Sequence, residues 1–361
     1  MVNLEINDLS MRYEKKYILE DLRLNVEHGE LLVLLGESGC GKTTLIKIIA
    51  GIIEPEKGKI IMEDEDITLF SPQRRKMGYV PQAQVLFPHM TVKSNISFGL
   101  KSHKKSKEEI KEKIRWVAEL TQIEELLDRF PSEISGGQKQ RVALARAMAI
   151  EPHMLLLDEP LSSIDATGRE SLALTIRRIQ KETETTTIYV THNQEEARLI
   201  SDRVAVIYDG KVQQIGRVTE IDNSPKNYLI AKIMGSPNVY PIYYIKETDE
   251  NTILNTTIGK IKLPKQTNKK ITGISISPSS FKPSLEKKSH TDLEKSHFIE
   301  FKGEVKSMVQ RDERTIRAVI ELEGEKFDYA KIDVDKEDFE DILSSDKKIF
   351  LYVDTSEVNI L

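Results

Sequence analysis

A chain of 361 residues with 39% hydrophobic content has room for two soluble domains. Its formal net charge of −5 leaves no broad basic face to neutralise phosphates, which argues against a nucleic-acid binder. One cysteine excludes a disulfide framework and fits a reducing compartment. The start, Met1 to Ile6, lacks the basic-then-apolar profile of a signal peptide. Leu31–Leu35 is a continuous apolar run ending in glycine, which predicts a strand buried on both faces. Lys42 to Ala50 continues as a helix, and the apolar-rich run Leu45 to Ile53 is too short to span a bilayer.

Lys104 to Leu127 is charge-rich, with Ile110, Ile114, Val117, Leu120 and Ile123 at helical spacing. It predicts helices outside the main sheet, the stripe packing a small core. Met154–Leu157, Thr187–Val190 and Val204–Ile207 read as further strands, and Arg169 to Glu182 and Gln194 to Ile200 as helices between them. The alternation implies a parallel sheet with covering helices. Near Met234-Gly235-Ser236-Pro237-Asn238 the character changes to short β-rich runs: 252–257, 271–277, 298–309, 315–322 and 349–353. A polar stretch, Lys282 to Lys295, reads as a loop or insertion. The boundary is placed within 234–239. The predicted architecture is an α/β nucleotide-binding domain over 1–235, with a helical subdomain at about 85–160, and a mostly β barrel or sandwich over 236–361.

Gly36-Glu37-Ser38-Gly39-Cys40-Gly41-Lys42-Thr43 is a complete phosphate-binding loop between strand and helix. Its glycines turn successive N–H groups inward, and the helix start adds positive potential. Lys42 can bridge the β- and γ-phosphates, and Thr43 can ligate Mg²⁺. Asp158-Glu159 closes an apolar strand; one carboxylate suits Mg²⁺ and the other can polarise the attacking water. His192 follows the Thr187–Val190 strand, where it can reach a γ-phosphate, although a lone histidine is more often structural. Gln82 in Val80-Pro81-Gln82 could contact Mg²⁺ or water, but in isolation reads as a surface residue. Ser135-Gly136-Gly137-Gln138, preceded by Ile134, is a second glycine-rich turn, and two such turns suggest an ATP site assembled from two subunits.

Gly36–Thr43, Gln82, Ser135–Gln138, Asp158-Glu159, Ser162-Ser163-Ile164-Asp165 and His192 occur in the order and spacing of the ATP-binding cassette (ABC) transporter ATPases, a resemblance covering about the first 235 residues. It implies a P-loop ATPase and translocase that works as a head-to-tail homodimer, binding two ATP molecules. Each ATP is held by the loop of one subunit, including Thr44, and the Ser135–Gln138 turn of the other. It implies that Glu159 is the general base and His192 the γ-phosphate switch. Gln82 links Mg²⁺ and water to a transmembrane partner, Asp158 serves Mg²⁺, and Asp165 lies in a loop coupling the sites. Tyr13 matches the adenine-stacking aromatic; a core tyrosine is its plain alternative. Asn193 stands where aspartate is common, and Ser163-Ile164 where Ala-Leu or Asn-Leu is common. Cys40 reads as a small packing residue.

Leu86-Phe87-Pro88-His89-Met90-Thr91-Val92, with Asn95 to Leu100, is similar to importers of sugars, polyamines, iron and oxyanions, which carry a C-terminal OB-like (TOBE) β domain. Ile276-Ser277-Pro278-Ser279 departs from the sugar importers, and the terminal pattern from Gly303 to Leu361 looks more like the molybdate/tungstate group. The resemblance implies two permease subunits, an extracytoplasmic solute-binding protein, and a peripheral place on the cytoplasmic face of the membrane. A soluble ABC ATPase acting on DNA or ribosomes would need a long coiled coil or a second cassette, and this sequence has neither.

Overall fold

The computed structural model describes residues 3–83, 86–102, 105–265, 271–287, 298–323, 328–336 and 348–361. In chain order the first elements are β1 (Leu4–Tyr13), β2 (Lys16–Val26), β3 (Leu31–Leu35), α1 (Lys42–Ile49), β4 (Lys57–Met62), β5 (Glu65–Asp66), α2 (Pro72–Arg75) and β6 (Met77–Val80). A helical segment follows, α3 (Val92–Ser102), α4 (Lys107–Thr121) and α5 (Gly136–Met148), and then β7 (Met154–Asp158), α6 (Ala166–Thr183), β8 (Thr186–Thr191), α7 (Gln194–Ile200), β9 (Arg203–Tyr208) and β10 (Lys211–Gly216). The six-stranded sheet runs β10-β9-β3-β8-β7-β6, parallel except for β10. Strands β3, β7 and β8 are buried along their whole length, β3 and most of β7 as continuous apolar runs and β8 with threonines at both ends.

A four-stranded antiparallel sheet, β2-β1-β4-β5, was not read from the sequence. Helix α1 is apolar on more than one face because Leu45, Ile46, Ile48 and Ile49 join one core with both sheets. Arg75, 1% exposed, ties the end of that helix down. Its Nη1 donates to the Ile48 and Ile49 carbonyls at 2.7 Å, its Nη2 to Thr68 O at 2.7 Å and its Nε to Phe70 O at 3.0 Å. It thereby satisfies the terminal carbonyl of Ile49 and adds a second bond to that of Ile48, which already accepts from Gly51 N. Arg75→Met is expected to lower unfolding stability by about 3 kcal/mol, because it orphans several buried acceptors. Denaturant unfolding measures this, and an unchanged midpoint would contradict it.

In the helical segment, Ile114, Val117, Leu120 and Ile123 are buried, so the stripe is core. Helix α5 packs on α3, α4, α6 and β6, whereas α1 packs on β7 and β8. No helix among the described residues is long and apolar enough to cross a membrane.

The chain divides into compact units at Glu220/Ile221, upstream of the composition change at 234–239. The reason lies in α8 (Val218–Asn223) and α9 (Tyr228–Ile233). Helix α9 packs on strands of the second unit, and Tyr228 N donates to Thr272 Oγ1 at 3.0 Å. Met234–Pro237 thus ends this helix. The second unit contains β11 (Val239–Glu247), β12 (Asn251–Thr256), β13 (Gly259–Pro264), β14 (Gly273–Ile276), β15 (Lys282–Ser284), β16 (Phe298–Gln310), β17 (Thr315–Leu322), β18 (Asp328–Asp335), β19 (Lys348–Asp354) and β20 (Val358–Ile360). Among the described residues two five-stranded antiparallel sheets, β13-β12-β11-β14-β20 and β15-β19-β16-β17-β18, enclose one apolar core, so that from Val239 on the unit is built of strands as expected. Asn238, in a left-handed conformation at φ +55, bridges them: its amide nitrogen donates to Ile276 O and Lys331 O, and its Oδ1 accepts from Lys331 N. The polar stretch read as a loop begins with strand β15; its residues 288–295 lie outside the described residues.

Candidate nucleotide site

The parallel sheet sets this site, because successive loops leave the carboxyl ends of neighbouring strands. The phosphate loop follows β3, Glu159 follows β7, His192 follows β8, and Gln82 follows β6. Gly39 (φ +82) and Gly41 (φ +105) need glycine's freedom, and a Cβ on Gly41 would come within 2.7 Å of Ile18 O. Gly41 is also the N-cap of α1 and offers no side-chain cap, so the first helical N–H groups are open to an anion. Gly36 packs so closely that a Cβ there would run into the Ile207 carbonyl.

Lys42, 4% exposed, lies along the loop, its Nζ donating to Gly36 O and Glu37 O at 2.8 Å. Ser38 and Gly39 are exposed; Cys40, Thr43 and Thr44 are half-buried. Burial pushes the Cys40 thiol up from its ordinary range, which suits a packing role and a poor thiolate. Thr43 Oγ1 donates to Asp158 Oδ1 at 3.0 Å, and the Tyr79 hydroxyl lies 3.4 Å from Asp158 Oδ2. Asp158 is 1% exposed; burial raises its pKa, opposed by the Thr43 bond and reinforced by neighbouring Glu159.

Glu159 has a left-handed backbone (φ +46) held by its N–H to Val190 O at 3.0 Å. A non-glycine residue there is strained, and such strain gathers at functional sites. Its carboxylate is framed on both sides: Gln82 Nε2 donates to Oε2 at 3.0 Å, and His192 Nδ1 lies 3.3 Å from Oε1. Gln82 is exposed, as it reads in isolation, and is also joined to Glu159. Asn193 caps α7, accepting from Glu195 N and Glu196 N, so the departure from aspartate leaves the cap intact.

Ser135 is the N-cap of α5 in a full capping box: its Oγ accepts from Gln138 N at 3.3 Å, and its N–H donates to Gln138 Oε1 at 2.9 Å. Gly136 and Gly137 have no left-handed φ, and a Cβ on Gly137 would meet nothing within 4 Å. Asp165 caps α6 through Gly168 N at 2.9 Å and is exposed. Tyr13 is 48% exposed at the end of β1, so the core alternative does not hold. A cavity of about 170 Å³ beside the loop is lined by Lys16, Tyr17 and Ile18, by loop residues, and by Tyr208–Gly210; Tyr13 is not among its lining residues.

Sequence reasoning missed Tyr17 and Tyr208, and it missed the buried carboxylate of Glu196. Glu196 precedes Ile200 by one helical turn on the buried side of α7, and that spacing could have revealed it.

A phosphate loop on a central parallel strand, a hydroxyl–carboxylate pair beside it and a glycine-opened helix cap define a nucleotide-binding protein of the P-loop class. A family model described as ABC transporter matches residues 19–162. The chain is 47% identical over 238 residues to the Fe(3+) ions import ATP-binding protein FbpC of Fusobacterium nucleatum, covering 66% of this chain and 64% of that relative, less than two thirds of its length. It is 41% identical to the spermidine/putrescine import ATP-binding protein PotA of Marinobacter nauticus, over 71% of this chain and 69% of the relative. It is 42% identical to the sulfate/thiosulfate import ATP-binding protein CysA of Synechococcus elongatus, over 66% and 70%. Among solved structures, a dimeric post-hydrolysis state of the ATP-binding cassette MJ0796 bound to ADP and Pi aligns at TM-score 0.54 with 27% identity, covering 59% of this chain and 98% of that one. The chain belongs to the ABC transporter family.

Proposed function

We propose that this chain is the ATP-hydrolysing subunit of an ABC importer and acts as a head-to-tail homodimer. The observation that carries the hydrolytic reading is the doubly held carboxylate of Glu159, on a left-handed backbone, beside the Thr43–Asp158 pair. With ATP in the loop, Lys42 exchanges its carbonyl partners for phosphate oxygens. Glu159 takes the proton of the attacking water as the water oxygen bonds to the γ-phosphorus and the bond to the β,γ-bridging oxygen breaks, so that ADP leaves and phosphate is formed; His192 and Gln82 keep that carboxylate aimed.

The donor set fits Mg²⁺. A hydroxyl and one buried carboxylate make an oxygen-only site too small for an all-protein cage, and no cluster of three or more His, Cys, Asp or Glu suited to a metal occurs among the described residues. Thr43 and Asp158, with Gln82 nearby, would hold the ion, which when bound neutralises charge on the phosphates.

The dimer reading rests on Gly136 and Gly137. Their backbone angles do not demand glycine; among the described residues a Cβ on Gly137 would meet nothing within 4 Å and one on Gly136 only Ser163 O at 4.0 Å, so bare backbone there suits the close approach of a ligand held by another copy. ATP shifts the dimer toward closure only by the free energy with which it prefers the closed form. That work is passed to two permease subunits on the cytoplasmic face of the membrane, fed by an extracytoplasmic solute-binding protein. The imported solute is a small oxyanion of the molybdate/tungstate kind, by the C-terminal sequence pattern, with iron(III), a polyamine or a sugar as the alternatives. The all-β unit adds regulation and dimer contact.

Lys42→Ala is expected to weaken ATP binding by ten- to a hundredfold, the loss of charge-assisted bonds worth about 1.5–3 kcal/mol. Titration with a fluorescent nucleotide measures it, and unchanged affinity would contradict the loop assignment. Co-purification with the permease, followed by ATPase stimulation across a solute panel, tests the oxyanion assignment; stimulation by iron or a polyamine alone would overturn it.

A further inference from the structure

We infer that Arg169 and Glu196 form a positioning pair that links the segment carrying Asp165 to the strand carrying His192. The side chain of Glu196 is only 8% exposed. Its Oε2 accepts from the Tyr189 hydroxyl at 2.9 Å and from the Thr191 hydroxyl at 2.8 Å. Thr191 precedes His192 directly, and its Oγ1 also accepts from Asn193 N at 2.9 Å, so this carboxylate anchors both sides of the switch. The other oxygen faces α6: Arg169 Nε lies 3.9 Å from Glu196 Oε1. The same guanidinium donates from Nη2 to the carbonyl of Ile164 at 3.0 Å, one residue before Asp165.

The pair is incompletely made. Arg169 Nε is buried and has no hydrogen-bond partner. Burying a donor without an acceptor is costly, and the nearest compensation is the carboxylate already facing it, at a charge-assisted bond length of about 2.8 Å. A cavity of about 300 Å³ between α6 and α7, lined by Arg169, Ala173, Asn193, Glu196 and Leu199 among others, gives both helices room to move. The pair therefore has an open arrangement at 3.9 Å and a closed one at hydrogen-bond length. On the dimer reading above, on which this inference rests, Asp165 faces the partner's site and His192 its own. Closing the pair sets the two loops together and couples one site to the other. Neither residue touches the phosphate loop, so nucleotide binding is spared.

The test uses the full chain as Arg169→Met, Glu196→Gln and the double variant, with turnover expressed per nucleotide-binding site so that any misfolded fraction is removed. Each single variant is expected to lower kcat roughly tenfold and leave the KM for ATP within about twofold, and the double to fall no further than the worse single, as residues of one network do. Arg169→Met within about twofold of wild-type kcat, or single losses that multiply in the double, overturns the pair. A wild-type chain without turnover overturns the ATPase reading, and the pair with it.

Discussion

Glu159→Gln is expected to lower ATP turnover by about 10²–10⁴-fold, the range for removing a general base, while ATP affinity changes little. The amide has the shape of the carboxylate, so the contact from Gln82 and the backbone bond from Glu159 N to Val190 O can persist. What disappears is the oxygen able to accept a proton from water. Lys42 and Thr43, to which the proposed function assigns the phosphates and Mg²⁺, lie on α1 and are untouched. Bound ATP then favours the closed dimer with no hydrolysis to release it, and the dimer accumulates. Steady-state phosphate release and nucleotide titration measure the two effects separately. Normal turnover in this variant would remove Glu159 from the mechanism.

Ser135→Arg is expected to leave ATP binding intact and lower hydrolysis by more than about 100-fold, the scale for losing preorganised contacts to the transferring group. A long cation at the N-cap of α5 fills the space that the two following glycines leave open. The substitution also removes the cap, which alone costs about 0.5–2 kcal/mol of helix stability. Ser135→Ala separates the contributions, since it loses the cap without adding bulk. Turnover of Ser135→Arg equal to that of Ser135→Ala would show that only the cap matters.

Strands β3 and β7 were legible because burial on both faces makes their runs almost wholly apolar, and the phosphate loop because it is contiguous. Helix Gln194–Ile200 has the predicted bounds. The β1-β2-β4-β5 sheet was not legible: left-handed Asp8 and Asp21 and several register shifts break the alternation that marks a strand. Strand β18 does alternate, yet it was not among the β-rich runs read from the sequence, because charged residues break up its apolar ones.

Within the site, the contact of Gln82 with Glu159 joins residues far apart in sequence and follows from β6 lying beside β7. Arg75 and Glu196 were missed for one shared reason. Charged residues read as solvent-facing, and the main-chain carbonyls that satisfy Arg75 leave no mark in the sequence, whereas for Glu196 the one sign was its spacing from Ile200 on α7.

The central claim is that one chain's Ser135–Gln138 turn completes another chain's ATP site. Sedimentation of Glu159→Gln with and without ATP, beside the double variant Glu159→Gln/Ser135→Arg, tests it most directly. The account predicts an ATP-dependent rise in dimer for the single variant and none for the double, with equal ATP bound to both. The same dimer fraction in both variants at saturating ATP would contradict it.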